Sequence, residues 1–311
     1  MPRQITQPVK TNLADNYTTV APDWKYAFNL VKSFDNEPNF IQISISGGLD
    51  PNDRSTTEYA NALSLYAQDY CDTQATDIAI DQSTIDQIKL LASVPFFLHV
   101  KYMLNNYAYD KKTHWLPETE MQRLRVLKPY VIWYNQLMSD YIYANPSGKM
   151  IDLEGALIKQ ALSYFPRQID TIESDIQQVT RGARTEAIVR SLLDRTPLNY
   201  IPGTIDDDLR GGDLIVEYDN KRVRVDIKTS IGPIARLRGG YEEIQSNNIS
   251  YAIHRIKRDQ GEEDATVVLF PGFTDDDTDG LLSLDLPDSL IQEHANFITK
   301  QLHLAFQELH I

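Results

Sequence analysis

Two aspartates and a lysine, Asp213, Asp226 and Lys228, are spaced so that one β-hairpin would gather them at a single place. Gly211-Gly212 precedes the first aspartate, and Asp219-Asn220 reads as a two-residue turn between the expected strands Asp213 to Tyr218 and Arg222 to Lys228. With Tyr218 opposite Lys221 across that turn, counting outwards sets Asp213 opposite Asp226. Directly opposed residues share a sheet face with Cβ atoms about 4.5–5.5 Å apart. Two carboxylates that close repel unless a cation lies between them. The period of two places Asp226 and Lys228 on one face and sends Val223, Val225 and Ile227 to the other, which must be core. All-oxygen sites with open positions suit Mg²⁺, which keeps several waters and bridges to substrate phosphate. Such an ion lowers the pKa of a bound water and steadies the charge on an attacked phosphodiester. Lys228 would orient or deprotonate that water, its pKa pushed down by the neighbouring cation, or counter the developing charge. The plain alternative is a surface hairpin on which Asp226 and Lys228 form an exposed pair of little consequence.

The elements that must position these residues come in two parts. Up to about Tyr164 the chain reads mainly helical. Phe40 to Ser46 alternates like a short strand and ends at Gly47-Gly48. Asp86 to Asn106 has apolar residues at helical spacing, with Pro95 expected to kink or break it. Glu118 to Tyr143 carries one apolar stripe, Leu124, Leu127, Val131, Tyr134, Leu137, Met138 and Tyr141. The many tyrosines and tryptophans here are expected in helix packing, with a base-stacking surface as the alternative. Pro146-Ser147-Gly148 breaks the chain, and helix resumes from about Asp152. From residue 165 the period changes. Thr185 to Leu193 reads as helix, Leu198 to Ile201 as a short strand, and the hairpin follows. Tyr241 to Arg258 reads as helix, Ala265 to Phe270 as a buried strand, and Pro287 to His310 as a last helix. That order predicts a mixed sheet with flanking helices, an α+β or α/β unit over 165–311 behind a mainly helical region over 1–164.

On these residues the chain resembles the PD-(D/E)xK nuclease superfamily, whose fold is restriction-endonuclease-like. That family carries an acid at the start of the second core strand and an acid-x-lysine in the third. Gly212-Asp213-Leu214-Ile215-Val216 matches the first element and Val225-Asp226-Ile227-Lys228 the second. A glutamate on the helix before the sheet often completes the set. Glu186, in Arg184-Thr185-Glu186-Ala187, stands in that place, although a solvated helix position is the other reading. The resemblance spans about Gly182 to Gly272 and departs in one respect, since no proline immediately precedes Asp213. It implies a Mg²⁺-dependent endonuclease acting on DNA, most naturally duplex and restriction-type. Asp213 and Asp226 would hold the metal with Glu186 assisting, the backbone carbonyl of Ile227 would add a ligand, and Lys228 would activate or position the water. Gln245, after the active strand, would be a supporting polar residue. The helical region 1–164 is left substrate selection, homodimerisation or partner binding. Repair, recombination or RNA nucleases share the fold, and so would a catalytically idle binding or assembly protein.

Charge constrains this reading. The 311 residues carry 30 Lys/Arg and 44 Asp/Glu, a net −14, which argues against coating nucleic acid or anionic membrane by bulk attraction. The excess is uneven, because residues 181–260 carry 14 basic and 12 acidic side chains. Lys221, Arg222 and Arg224, then Arg236 and Arg238, then Arg255, Lys257 and Arg258 form basic runs suited to phosphate contacts, or to an ordinary charged surface. Asp206-Asp207-Asp208 reads as a solvated acidic loop, with an added metal ligand as the alternative. Asp275 to Gly280 imitates a calcium loop but has Leu286 where glutamate is needed, so it reads as an acidic turn. Cys71 is the only cysteine, which excludes cysteine zinc clusters and internal disulfides. No His pair, Gly-x-Ser-x-Gly or phosphate-loop pattern occurs. Met1 to Lys10 lacks the apolar stretch of a signal peptide and no run is long enough to span a bilayer, so the expected compartment is the cytoplasm.

Overall fold

A computed structural model describes residues 20–34, 81–113, 118–165, 169–241, 249–257, 263–274, 278, 280–282 and 286–310. Five long helices come first: α1 (Pro22–Phe34), α2 (Gln82–Thr113), α3 (Glu118–Ala144), α4 (Met150–Tyr164) and α5 (Ile169–Leu193). Then follow β1 (Asn199–Pro202), the short α6 (Ile205–Leu209), β2 (Leu214–Tyr218), β3 (Lys221–Ile227), α7 (Gly232–Arg238), β4 (Tyr251–Lys257), β5 (Glu263–Leu269) and α8 (Asp288–Glu308).

The strands form one five-stranded sheet in the order β1-β2-β3-β5-β4. All neighbours are antiparallel except β3 and β5, which run parallel. The chain is thus a mixed α+β structure with helices against its sheet. On one face, Leu214, Val216, Val223, Val225, Val267 and Leu269 join the buried side of α5 and α8. On the other, Ile234 and Ala235 of α7 cover Ala252 and Val268.

The first cluster does not stop at the sheet. It runs from Trp24 through the helices to Phe306, so α3 and α4 pack on α5 across the expected boundary near residue 164. Aromatics serve that packing: Phe97 stacks on Tyr134 at 4.3 Å, and Trp24 meets Tyr141 edge-on at 5.3 Å.

Two expectations need correcting here. Of the kink or break expected at Pro95, the break does not occur, since α2 runs from Gln82 to Thr113 with Pro95 inside. An internal proline costs about 3 kcal/mol. Leu90, Leu91, Val94 and Phe97 are fully buried around it, and their burial, at about 1.5–3 kcal/mol each, outweighs that cost. The second is the helix expected over Tyr241 to Arg258. Tyr251 to Lys257 is instead strand β4, paired residue for residue with β5 from Tyr251↔Leu269 to Lys257↔Glu263. A β-strand's partner is non-local, and the apolar spacing of Tyr251, Ile253 and Ile256 fits either period. Gln245, the Phe40 to Ser46 strand and the acidic run Asp275 to Asp277 lie outside the described residues. Among the described residues, no helix is long and apolar enough to cross a membrane.

Candidate active site

The hairpin forms as its turn residues require. Asp219 and Asn220 take positive φ, 47° and 61°, the left-handed pair of a type I′ turn. Tyr218 pairs with Lys221 and the register continues to Leu214↔Val225, so Asp213 and Asp226 are the next residues out. A slip of one residue would expose Leu214, Val216, Val223 and Val225, now 0–3% accessible. At about 1.5–3 kcal/mol per side chain, that penalty fixes the register. Val223, Val225 and Ile227 face the core, as their spacing predicts.

Asp213 is tied to the neighbouring strand: its Oδ2 accepts the Ile227 amide at 2.6 Å. The Lys228 amide donates to Leu269 O at 2.8 Å, extending the β3–β5 ladder by one bond. The Lys228 ammonium contacts Asp226 Oδ1 as an ion pair, with Asp226 15% and Lys228 38% exposed. Behind Asp213, the chain leaving β1 presses close. The Gly203 amide donates to Asp213 O at 2.8 Å, and a Cβ on Gly203 would lie 2.2 Å from Gly212 O. Gln136 of α3 donates to Gly203 O from the other side.

Glu186 reaches the cluster from α5. Ala183, Ala187 and Arg190 bury the helix beside it, and Arg190 Nη1 lies 3.9 Å from its Oε1 and 2.6 Å from Asp140 of α3. Arg190 also lies over the Tyr143 ring at 4.3 Å. Burial pushes the Glu186 carboxyl up to about 7, with Ser139 and Arg190 opposing and Asp140 and Asp208 reinforcing the shift. Asp213 is pushed well above the carboxylate range, first by burial and then by Asp226, Glu186 and Asp208. The sequence-predicted set of Glu186, Asp213, Asp226 and Lys228 is therefore brought together.

Sequence reasoning held Asp208 only as the alternative to a solvated acidic loop, and did not single it out of its triplet. The acidic triplet is not a loop but helix α6, closed by a capping box in which Thr204 and Asp207 bond each other's backbone amides. Asp206 is exposed and Asp207 is the N3 partner of the Thr204 cap. Asp208 turns inward, and burial plus the charge of Asp226 raise it to about 6. The Thr204-x-x-Asp207 spacing was the available signal for that helix.

The basic runs do not gather here. Lys221 and Arg222 lie at the turn, the far end of the hairpin, and Arg222 pairs with Glu217. Arg224 lies 3.8 Å from Asp207, and Arg238 pairs with Glu308 at 2.7 Å while lying over Tyr251. Arg236 and Arg255 are exposed, on α7 and β4, and Arg258 lies outside the described residues. For Lys228, burial works against the charge, but Asp226, Asp213 and Asp208 outweigh it and raise the pKa. That favours the ammonium form over the base role.

A cleft of about 410 Å³ opens over Glu186, Asp208, Asp213 and Lys228. Its opposite wall comes from the N-terminal helices, with Lys101 of α2 and Asn135 and Gln136 of α3. Lys101 is held by Asp175 at 3.0 Å and Gln178 at 2.9 Å.

Among the described residues, no three Asp, Glu, His or Cys side chains form a ready-made metal group. The donor chemistry nevertheless fits a hard divalent ion. The side-chain oxygens are carboxylates, and three of them are raised in pKa by burial and by neighbouring carboxylate charge. A cation relieves that repulsion, and Mg²⁺ needs only one or two protein carboxylates when waters and phosphate complete its shell. Comparison with family models, curated proteins and solved structures finds no match to this chain.

Proposed function

We propose that the chain is a divalent-cation-dependent nuclease of the PD-(D/E)xK type, built on a restriction-endonuclease-like sheet and acting on DNA in the cytoplasm. The observation that carries this reading is that Asp213 and Asp226 stand together just beyond the last pair of one hairpin, Leu214↔Val225. Glu186 and Asp208 crowd the same point, and Lys228 is fixed on Asp226. The acid before the second strand of the sheet, the acid-x-lysine on the third and the glutamate on the preceding helix support the family assignment.

In this reading Asp213 and Asp226, with the Ile227 carbonyl and assistance from Glu186 or Asp208, would hold Mg²⁺, whose chemistry when bound would be acidification of a water and charge stabilisation at the phosphodiester. The chain's own residues do the rest. Lys228, held as an ammonium, orients the attacking water and offsets charge developing on the phosphate oxygens. The Ile227 amide and Gly203 keep Asp213 from rotating away. Arg190 anchors Glu186 from behind. The restriction role rests on analogy with the fold.

The test is direct. Plasmid, phage DNA, single-stranded DNA and RNA are incubated with the protein and Mg²⁺, against a chelator control and Asp226→Asn. Discrete products from duplex DNA that vanish in both controls support a restriction-type enzyme, and a smear supports nonspecific cleavage. No Mg²⁺-dependent product on any substrate, or full activity in Asp226→Asn, rejects the reading in favour of a binding protein.

A further inference from the structure

A second cleft, of about 420 Å³, lies across Lys228 and Thr229 from the carboxylate cleft, and those two residues line both. One wall is the stretch of α5 just before Glu186, where Arg181 and Arg184 stand one turn apart on the same face. The other wall is Phe270, Pro271 and Gly272, where the chain leaves β5. The two clefts differ in charge. Among the described lining residues, the acidic side chains Glu186, Asp208 and Asp213 face Lys101 and Lys228 in the first. In the second, Arg181, Arg184 and Lys228 face only Glu154, which accepts the Thr180 hydroxyl.

That segregation suits a polyanion lying across both. A phosphate facing the three carboxyl groups of the first cleft is held there only with a cation, whereas guanidinium groups hold phosphate without one. Arg184 and Arg181 precede Glu186 by two and five residues, about 3 and 7.5 Å along the helix axis at 1.5 Å per residue. That reach is comparable with the spacing of neighbouring phosphates in one strand.

We propose that Arg181 and Arg184 form a phosphate subsite, holding the strand under cleavage by the phosphodiester next to the one at the carboxylates. The subsite rests on the nuclease reading for its role but not for its existence. The strand runs along α5, through both clefts, with Lys228 and Thr229 at the crossing point.

The experiment is a titration of the full chain against a fluorescein-labelled DNA oligonucleotide, single-stranded and duplex, in chelator, followed by anisotropy over a salt series. In whichever form binds more tightly, Arg181→Gln/Arg184→Gln is expected to weaken binding about tenfold or more. It should also flatten the slope of log K against log salt by about 1.4 for a single strand or about 1.8 for a duplex. Arg181→Gln alone, at an exposed position, should give about half that slope change and keeps the test valid if Arg184 proves necessary for folding. Lys221→Gln, at the far hairpin end, should change neither quantity. Wild-type affinity and slope in Arg181→Gln and in the folded double variant would overturn the subsite. Intact binding losses with no Mg²⁺-dependent cleavage of any substrate would leave the subsite standing and remove the nuclease reading. Failure of the wild-type chain to bind either form in chelator would overturn the subsite and leave the nuclease reading to the cleavage test.

Discussion

Four carboxylates share the end of one hairpin, and the cost of ionising Glu186, Asp208 and Asp213 sets the pH dependence. Glu186, raised to about 7, prefers its protonated form in the folded chain. Its contribution to stability is fully present below its unfolded value near 4.5 and is lost as pH rises through 7. Asp208, raised from 3.8 to about 6, acts in the same sense over a slightly lower window. At about 1.4 kcal/mol per unit, Glu186 alone is worth on the order of 3 kcal/mol. Thermal melts without divalent ions are therefore expected to show Tm falling from pH 5 to pH 8. Glu186→Gln should raise Tm at pH 8 and do little at pH 4; an unchanged or lowered Tm at pH 8 would contradict the burial argument. If the site holds Mg²⁺ as proposed, adding the ion at pH 8 restores Tm and a chelator removes the gain. The residues behind this were unevenly legible. Asp213, Asp226 and Lys228 could be read because a strand's period and a two-residue turn fix which side chains meet. Asp208 could not, because which of three consecutive acids faces inward is decided by helix α6 and its contact with α3.

At the level of elements, two glycines beside the site make opposite predictions. Gly203 passes so close to Gly212 that a Cβ would lie 2.2 Å from a backbone oxygen, which no side-chain movement relieves. Gly203→Ala is expected to cost about 1–3 kcal/mol and, by displacing Asp213, to abolish any cleavage activity. Gly182 sits inside α5 with nothing within 4 Å of its missing Cβ. Gly182→Ala should stabilise the helix by about 0.5–1 kcal/mol. Denaturant midpoints of the two variants check both signs, and a neutral Gly203→Ala would show that β1 and the Asp213 loop can separate. The strands and helices nearest the hairpin were legible from period and turn chemistry. Strand β4 was not, because its stability comes from pairing with β5 and from Tyr251 and Ala252 packing inwards. Nor was the continuity of α2 through Pro95, which depends on the buried layer around it.

Over the whole molecule, the sequence suggests a helical region and a separate catalytic unit, but the packing binds them into one body. Helix α5 carries Glu186, and it buries Ile172, Ile176, Val179 and Ala183 in a cluster shared with α3 and α4. Polar ties follow the same seam: Arg190 to Asp140, Tyr143 to Asp194, Lys101 to Asp175 and Gln136 to Gly203. The N-terminal helices also form the wall facing the carboxylates, so their removal would open the cleft as well as expose the helix. The net charge of −14 acts against nonspecific retention of polyanions, so the proposed function needs the local arginines and a cation for engagement. A fragment comprising residues 165–311 is therefore expected to behave unlike a domain. With Ile172, Ile176 and Val179 of α5 uncovered, at up to about 3 kcal/mol each, the loss is comparable with a typical domain's stability. Size-exclusion chromatography should show aggregation, and circular dichroism should show no cooperative melt. A monomeric fragment that melts cooperatively and binds DNA like the full chain would mean that α3 and α4 merely cover α5 and do not hold it in place.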